Sequence, residues 1–260
     1  MEFIDIQVLE NRLGELRPSF HNKKPFKYVV FEGFFLPEKG QEILENYPGI
    51  LDGVWDGTTY IDQRNKYQKT KFETATLFDR VFKELNSDEF TKWLTNLTGI
   101  EDIIADPTLL GGGLHQSING AYLNVHIDYN LHHNTKQHRR LNVLVYMNPE
   151  WREDFGGQLE LWDFSGDRER CLESVAPTFN RAVIFETNEI SFHGHPKPLR
   201  TPEHLTRKSI ATYYYTDTRP QAEIAPEHNT IYVNTEGSSG QARRFSSGVR
   251  AFLERVNKRF

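Results

Sequence analysis

The sequence is poor in the features that mark secreted and membrane proteins. Cys171 is the only cysteine among 260 residues, so no disulfide can form within the chain. No apolar run approaches the length of a membrane-spanning helix. The first residues, Met1–Asp5, lack the basic start and the apolar stretch of a secretory signal. We therefore expect a soluble cytoplasmic protein in a reducing compartment, with no membrane partner.

An excess of basic residues is also missing. The formal net charge is −5, with 31 Lys and Arg against 36 Asp and Glu, which gives no electrostatic case for a nucleic-acid partner. Hydrophobic residues make up 37% of the chain, an ordinary share for a globular protein. The length suits one large β domain, and nothing in the sequence indicates the oligomeric state.

The order of patterns along the chain predicts one domain over residues 1–260. A strand at 26–32 is followed by helical patterns at 37–46, 75–85 and 88–97, which we expect to brace one face of a sheet. Apolar strand patterns follow at 141–147, 156–162, 180–186 and 207–215, with turn residues between them, and this spacing indicates a sandwich or barrel. The parts are an N-terminal strand with supporting helices (26–110), a β core (111–217) and a C-terminal tail with a helix at 248–260 (218–260).

The segment Tyr122–Asp128 carries the most informative pair of residues. It reads as a strand, and because strand side chains alternate, His126 and Asp128 share one face. A second group of histidines, His193 and His195, lies downstream between two predicted strands. Two imidazoles and one carboxylate form the facial triad that holds Fe(II) and leaves coordination positions open. The sequence therefore predicts a catalytic iron site, with either His193 or His195 as the third ligand.

Arg207 opens the strand pattern at 207–215, whose following positions are largely apolar or aromatic. An arginine at the mouth of an apolar cavity can bind a carboxylate through a charge-assisted pair. Ser209 shares its strand face, and Tyr146, near the end of another strand, can offer a phenol to the same carboxylate. By contrast, we interpret the polar, histidine-rich segment 131–140 as a solvated loop.

Taken in order, these segments resemble the Fe(II)/2-oxoglutarate-dependent oxygenases, particularly the prolyl-hydroxylase-like branch. The resemblance covers residues 26–217 and rests on the segments His126–Asp128, Leu144–Asn148, Gly156–Leu159, Ser191–Gly194 and Arg207–Ser209. It implies a double-stranded β-helix, a cupin-like jelly roll, braced by N-terminal helices. It also implies roles for the site residues. His126, Asp128 and His193 would be iron ligands, Arg207, Tyr146 and Ser209 would contact 2-oxoglutarate, and Asn124, which faces the cavity, could contact the cosubstrate or the substrate.

The resemblance further implies a reaction. With Fe(II), 2-oxoglutarate and O2 as cofactor and cosubstrates, we expect hydroxylation of an unactivated C–H bond with release of succinate and CO2. Because the sequence contains no separate peptide-recognition module, we expect a small-molecule substrate. The alternatives are a protein or peptidyl hydroxylase of the prolyl type, and a cupin-like metal enzyme that does not use 2-oxoglutarate.

Overall fold

The computed structural model describes residues 1–60, 62–165, 169–233 and 235. Its helices are α1 (Ile6–Asn11), α2 (Leu13–His21), α3 (Pro37–Glu45), α4 (Leu77–Leu85) and α5 (Asp88–Thr98). Its strands are β1 (Tyr28–Glu32), β2 (Asp56–Tyr60), β3 (Gln63–Lys69), β4 (Ile104–Ala105), β5 (Gly113–Ile127), β6 (His138–Tyr146), β7 (Leu159–Asp163), β8 (Arg170–Val175), β9 (Arg181–Glu186), β10 (Phe192–His195), β11 (Arg207–Thr216) and β12 (Ile231–Tyr232). The mainly β prediction is confirmed, and the predicted helix at 248–260 lies outside the described residues.

The long strand β5 joins the two walls of a jelly roll. The strands follow the order β1-β9-β6-β11-β5-β10-β7-β8, and every pairing along it is antiparallel. The first half of β5 pairs with β11, and its second half pairs with β10. Because one strand serves both walls, the sheet curls into a nearly closed barrel, which confirms the predicted double-stranded β-helix.

The helices cover the outer face of one wall. Strand alternation sends Val143 of β6 and Ile184 of β9 outward into the main hydrophobic core, where Phe90 and Trp93 of α5 are fully buried. Tyr146 lies three residues after Val143 and Phe185 one residue after Ile184, so both side chains point to the opposite face, where they form a second cluster in the barrel interior. The helices therefore support the outer face of this wall, and the inner face carries the side chains that line the cavity.

Two short helices at the N-terminus were not predicted. Leu9 of α1 and Leu16 and Phe20 of α2 are buried against the same core. The apolar periodicity is hard to read there because the helices are short and meet at Arg12, and because Pro18 lies inside α2. No helix in the described part of the chain is long and apolar enough to cross a membrane.

A β-bulge interrupts β5 between Leu123 and His126, where β5 pairs with β10. His193 of β10 lies opposite His126, whereas His195 lies opposite Leu123, so three steps along β5 match two along β10. An extra residue of this kind reverses which side chains face inward. As a result both Leu123 and His126 line the interior cavity, although a regular strand would send them to opposite faces.

The predicted solvated loop at 131–140 is shorter than expected. Residues 133–136 are exposed, but β6 already begins at His138, and Arg139 is fully buried. His132 is buried as well, with its Nδ1 accepting from the amides of Asn134 and Thr135. The run of polar residues conceals the start of the strand because two of its charged side chains point into the protein.

Candidate metal and anion site

The structure brings His126, Asp128 and His193 together on the inner face of the barrel. One potential ligand atom from each residue lies within 4.8 Å of the other two. The Nε2 atom of His193 is 3.5 Å from Oδ2 of Asp128, and that of His126 is 3.8 Å from Oδ1. The cross-strand pairing of His126 with His193 places the imidazoles side by side, with ring centroids 4.4 Å apart. Such a group fits one divalent cation.

Backbone hydrogen bonds orient both imidazoles. Nδ1 of His126 lies 2.8 Å from the carbonyl oxygen of Asn124, and Nδ1 of His193 lies 2.9 Å from that of Ser191. A carbonyl only accepts, so each Nδ1 carries the proton and donates it. This leaves the Nε2 lone pair of each ring directed at the shared point, the arrangement that metal-binding histidines ordinarily show.

A buried arginine and an asparagine hold the Asp128 carboxylate. Arg139 approaches Oδ2 with Nη2 at 3.1 Å, and Asn142 donates to the same oxygen from Nδ2 at 2.8 Å. Arg139 also donates to Asn142 Oδ1, which closes the triangle, and its Cζ lies 3.6 Å from the ring centroid of Tyr213. With both donors on Oδ2, Oδ1 has no competing donor from either residue.

The site carries ionisation states that suit a cation. Burial, followed by the neighbouring His193, lowers the pKa of His126 to about 3, and burial also lowers the pKa of His193. Burial opposes ionisation of Asp128, but the charge of Arg139, the histidines and the bond from Asn142 outweigh it and lower the pKa of that carboxyl. At neutral pH the three residues therefore offer two neutral imidazoles and one carboxylate.

Arg207, Tyr146 and Ser209 line the same cavity, whose volume is about 230 Å³. Arg207 is buried, donates from Nε to the carbonyl oxygen of Gly157 at 2.7 Å, and donates from Nη2 to the phenol oxygen of Tyr146 at 3.3 Å. Ser209 lies directly opposite Tyr146 in the pairing of β11 with β6. The three predicted carboxylate-binding side chains are thus neighbours.

Gly157 makes room for the Arg207 side chain. Its φ is +72°, and a Cβ atom there would lie 3.0 Å from Cδ of Arg207 and 2.5 Å from a methyl carbon of Leu199. The neighbouring Gly156 has a similar φ of +73°, but the nearest atom to a Cβ there is the Pro198 carbonyl oxygen at 3.5 Å. Of these two glycines, Gly157 is the one that combines a positive φ with a close approach.

The charges of the cavity favour an anion. Lys66, Arg139 and Arg207 line it, and among the described lining residues Asp128 alone carries a carboxylate. Nδ1 of the buried His195 also has no hydrogen-bond partner in the described structure. A dicarboxylate such as 2-oxoglutarate, together with a divalent cation, would fit both the surplus of positive charge and the polar lining.

Two residues singled out in the sequence, Asn124 and His195, lie outside the group that converges on Asp128. Asn124 was expected to face the cavity, but it is not among the lining residues, and its Nδ2 points to Asp62 Oδ1 at 3.4 Å. The bulge in β5 is the reason, because it turns Leu123 inward in its place. His195, the competing third ligand, does line the cavity but is not part of the group that converges on Asp128.

The sequence interpretation missed Arg139 and Tyr232. Arg139 was assigned to a loop because the polar residues around it conceal the start of β6. Tyr232, on β12, lines the cavity from a segment that was read as an irregular tail. A two-residue strand has too little pattern to be recognised from sequence.

Comparison with known proteins gives a consistent family. The sequence model of the 2OG-Fe(II) oxygenase superfamily matches residues 112–215. The chain is 28% identical over 214 residues to the mouse (Mus musculus) prolyl 3-hydroxylase OGFOD1, covering 78% of this chain. It spans only 35% of the length of that relative.

Two solved structures share the fold. One is a prolyl hydroxylase from Trichoplax adhaerens in complex with a peptide fragment of the hypoxia-inducible factor oxygen degradation domain. Its TM-score is 0.58 at 16% identity, and the match covers 82% of this chain and 92% of that one. The other is a prolyl 4-hydroxylase from Pseudomonas putida, with a TM-score of 0.55 at 18% identity, covering 79% of this chain and 99% of that one.

The prediction of a small-molecule substrate is wrong. The curated relatives from mouse and Xenopus laevis are prolyl 3-hydroxylases, which conflicts with a small-molecule substrate. The absence of a separate recognition module was therefore not evidence against a protein or peptide substrate.

The buried histidines predict that acid destabilises the metal-free protein. Burial lowers the pKa of His115, His126, His193 and His195 in the folded chain, so below about pH 6.5 the unfolded chain binds more protons. Each imidazole then lowers the free energy of unfolding by up to about 1.4 kcal/mol per pH unit. The raised pKa of His228 acts in the opposite direction, but for one group only.

Urea unfolding of EDTA-treated protein at pH 7.5, 6.5 and 5.5 measures this effect. We expect the midpoint to fall at each step, and the fall to be smaller in a His195→Gln variant. A His133→Gln variant serves as the control because that side chain is exposed. A midpoint that stays constant or rises toward pH 5.5 would contradict the assignment of neutral, buried imidazoles.

Proposed function

We propose that the chain is a dioxygenase that depends on Fe(II) and 2-oxoglutarate, like the 2OG-Fe(II) oxygenases whose family model it matches, and that it hydroxylates prolyl residues of a protein or peptide. The observation that carries the proposal is the convergence of His126, Asp128 and His193 beside Arg207 in one cavity. The prolyl substrate follows from the curated relatives, whose printed name is prolyl 3-hydroxylase.

His126, Asp128 and His193 would hold the iron. Three protein ligands on one side leave the remaining positions open, which distinguishes a catalytic from a structural metal site. When bound, Fe(II) and 2-oxoglutarate together supply the power to oxidise an unactivated C–H bond with O2, releasing succinate and CO2. The protein contributes fixed ligand orientation through the Asn124 and Ser191 carbonyls and through Arg139.

Arg207 would bind the distal carboxylate of 2-oxoglutarate. Its Nε is engaged by Gly157 and one Nη2 hydrogen approaches Tyr146, which fixes the plane of the guanidinium. A guanidinium held in this way can present its remaining donors to a carboxylate without losing further side-chain freedom. The Tyr146 phenol and the Ser209 hydroxyl would donate to the same group. This cluster favours a 2-oxoglutarate-dependent enzyme over a metal enzyme that does not use 2-oxoglutarate.

Hydroxylation of a peptide library tests the proposal. The probe is a set of acetylated peptides with a fixed central proline and randomised flanking positions, and the matched control set has alanine at the centre. With Fe(II), 2-oxoglutarate and O2, we expect a gain of one oxygen atom by mass spectrometry in a subset of the proline peptides only. Amino-acid analysis should identify 3-hydroxyproline, as the relatives' name implies. Modification of both sets alike, or of neither, would contradict a prolyl substrate.

Gly157 provides a test of the carboxylate anchor. A Gly157→Ala change pushes Cβ against Arg207 and Leu199, so it should weaken 2-oxoglutarate binding by roughly tenfold, the loss of about 1.4 kcal/mol from a charge-assisted pair. Calorimetric titration of 2-oxoglutarate into zinc-loaded protein measures the change. The Gly156→Ala variant has a similar positive φ without the contact to Arg207, and should weaken binding far less. Equal losses in the two variants would mean that the effect comes from the backbone and not from Arg207.

A further inference from the structure

Residues 224–233 form a strap whose end runs alongside β5, the strand that carries His126. The strap lies beyond the part of the chain that the family model matches, which ends at residue 215. Its last residues form β12, which pairs antiparallel with β5, and the Val233 amide donates to the Val125 carbonyl oxygen at 2.8 Å. The strap therefore adds a short strand at the edge of β5, beside His126.

Side-chain contacts fix the strap before it reaches β5. Asn130 donates from Nδ2 to the Pro226 carbonyl oxygen at 2.9 Å and accepts from the His228 amide at 3.0 Å. Nε2 of His228 lies 3.1 Å from the Glu189 carboxylate, and Lys136 pairs with Glu227 on the surface. The strap is thus attached along its length and presents its end in a defined register.

Strand alternation divides the strap between two environments. Val233 is buried, and Ile231 partly buried, in an outer cluster with Val125 and Ile127. Thr230 and Tyr232 have the opposite orientation and line the cavity. Tyr232 lies directly opposite His126 in the strand pairing, so the two side chains share the inner face. Their ring centroids are 5.3 Å apart.

We propose that Tyr232 is a substrate-binding residue that packs its ring against the prolyl ring to be hydroxylated. The inference rests on the proposed function. An aromatic face is the usual partner of proline in peptide recognition, because the pyrrolidine ring is rigid, apolar and costs little entropy to bind. Tyr232 offers such a face beside a metal ligand, on the side of β5 opposite the β10 strand that carries His193. Arg207 and Tyr146 line the same cavity and are assigned to 2-oxoglutarate, whereas Tyr232 lines it from β12, next to His126.

Three variants separate a contact through the ring from a general effect on folding. Tyr232→Leu keeps apolar volume but removes the aromatic face, whereas Tyr232→Phe keeps the ring and removes only the hydroxyl. Glu227→Gln weakens an exposed strap anchor without touching the cavity, and exposed ion pairs contribute little. The probe is the best-hydroxylated proline peptide from the library described above. The measurements are KM and kcat for that peptide, and the dissociation constant of 2-oxoglutarate with zinc-loaded protein.

Tyr232→Leu should raise the KM for the peptide roughly tenfold, the size expected for an aromatic contact of about 1.4 kcal/mol. Its dissociation constant for 2-oxoglutarate should stay within about twofold of the wild type, well below the tenfold change that 1.4 kcal/mol gives. Tyr232→Phe and Glu227→Gln should both retain a KM close to the wild-type value.

The outcomes also distinguish the two proposals. If the wild-type protein hydroxylates the peptide and Tyr232→Leu has an unchanged KM, the assignment of Tyr232 is overturned and the prolyl function stands. The assignment of Tyr232 is also overturned if Tyr232→Leu weakens the binding of peptide and the binding of 2-oxoglutarate equally, because that pattern indicates a distorted cavity. If the wild-type protein hydroxylates no proline peptide, both proposals are overturned.

Discussion

The pairing of β5 with β10 is the constraint on which the site depends. It sets His126 opposite His193 with their rings in contact distance, and Asp128 follows two residues later, directly beyond the end of β5. The bulge just before His126 is part of this arrangement, because it sets which residues of β5 face inward. A shift of one residue in this register would move an imidazole to the other face of the wall and separate the group.

Electrostatics explains why so polar a cavity can exist inside a barrel. Arg139 is fully buried, yet it lies against the Tyr213 ring and is paired with Asp128, so its charge is compensated. Lys66 and Arg207 add positive charge without a second lining carboxylate among the described residues, and burial lowers the pKa of Lys66 to about 8. An anionic cosubstrate and a cation held by Asp128 would together balance the site.

The sequence was most informative where the pattern is regular. The H-x-D pair, the strand patterns around Tyr146 and Arg207 and the helices at Leu77–Leu85 and Asp88–Thr98 all depend on spacing that can be read directly. Asn124 was misplaced because a bulge has no clear signature in sequence, and Arg139 because its burial depends on Asp128 and Tyr213, which are distant in the chain. The substrate class was missed for another reason: the prediction rested on the absence of a separate recognition module, and an absence does not identify a substrate.

Cobalt(II) binding tests the central claim most directly. Metal-free protein titrated with Co(II) should show visible d–d absorption that saturates at one ion per chain. We predict that a His193→Ala variant loses this absorption at the same concentrations, and that a His195→Ala variant keeps it, because His193, and not His195, converges with His126 on Asp128. Retention of the signal in His193→Ala with its loss in His195→Ala would contradict the assigned metal site.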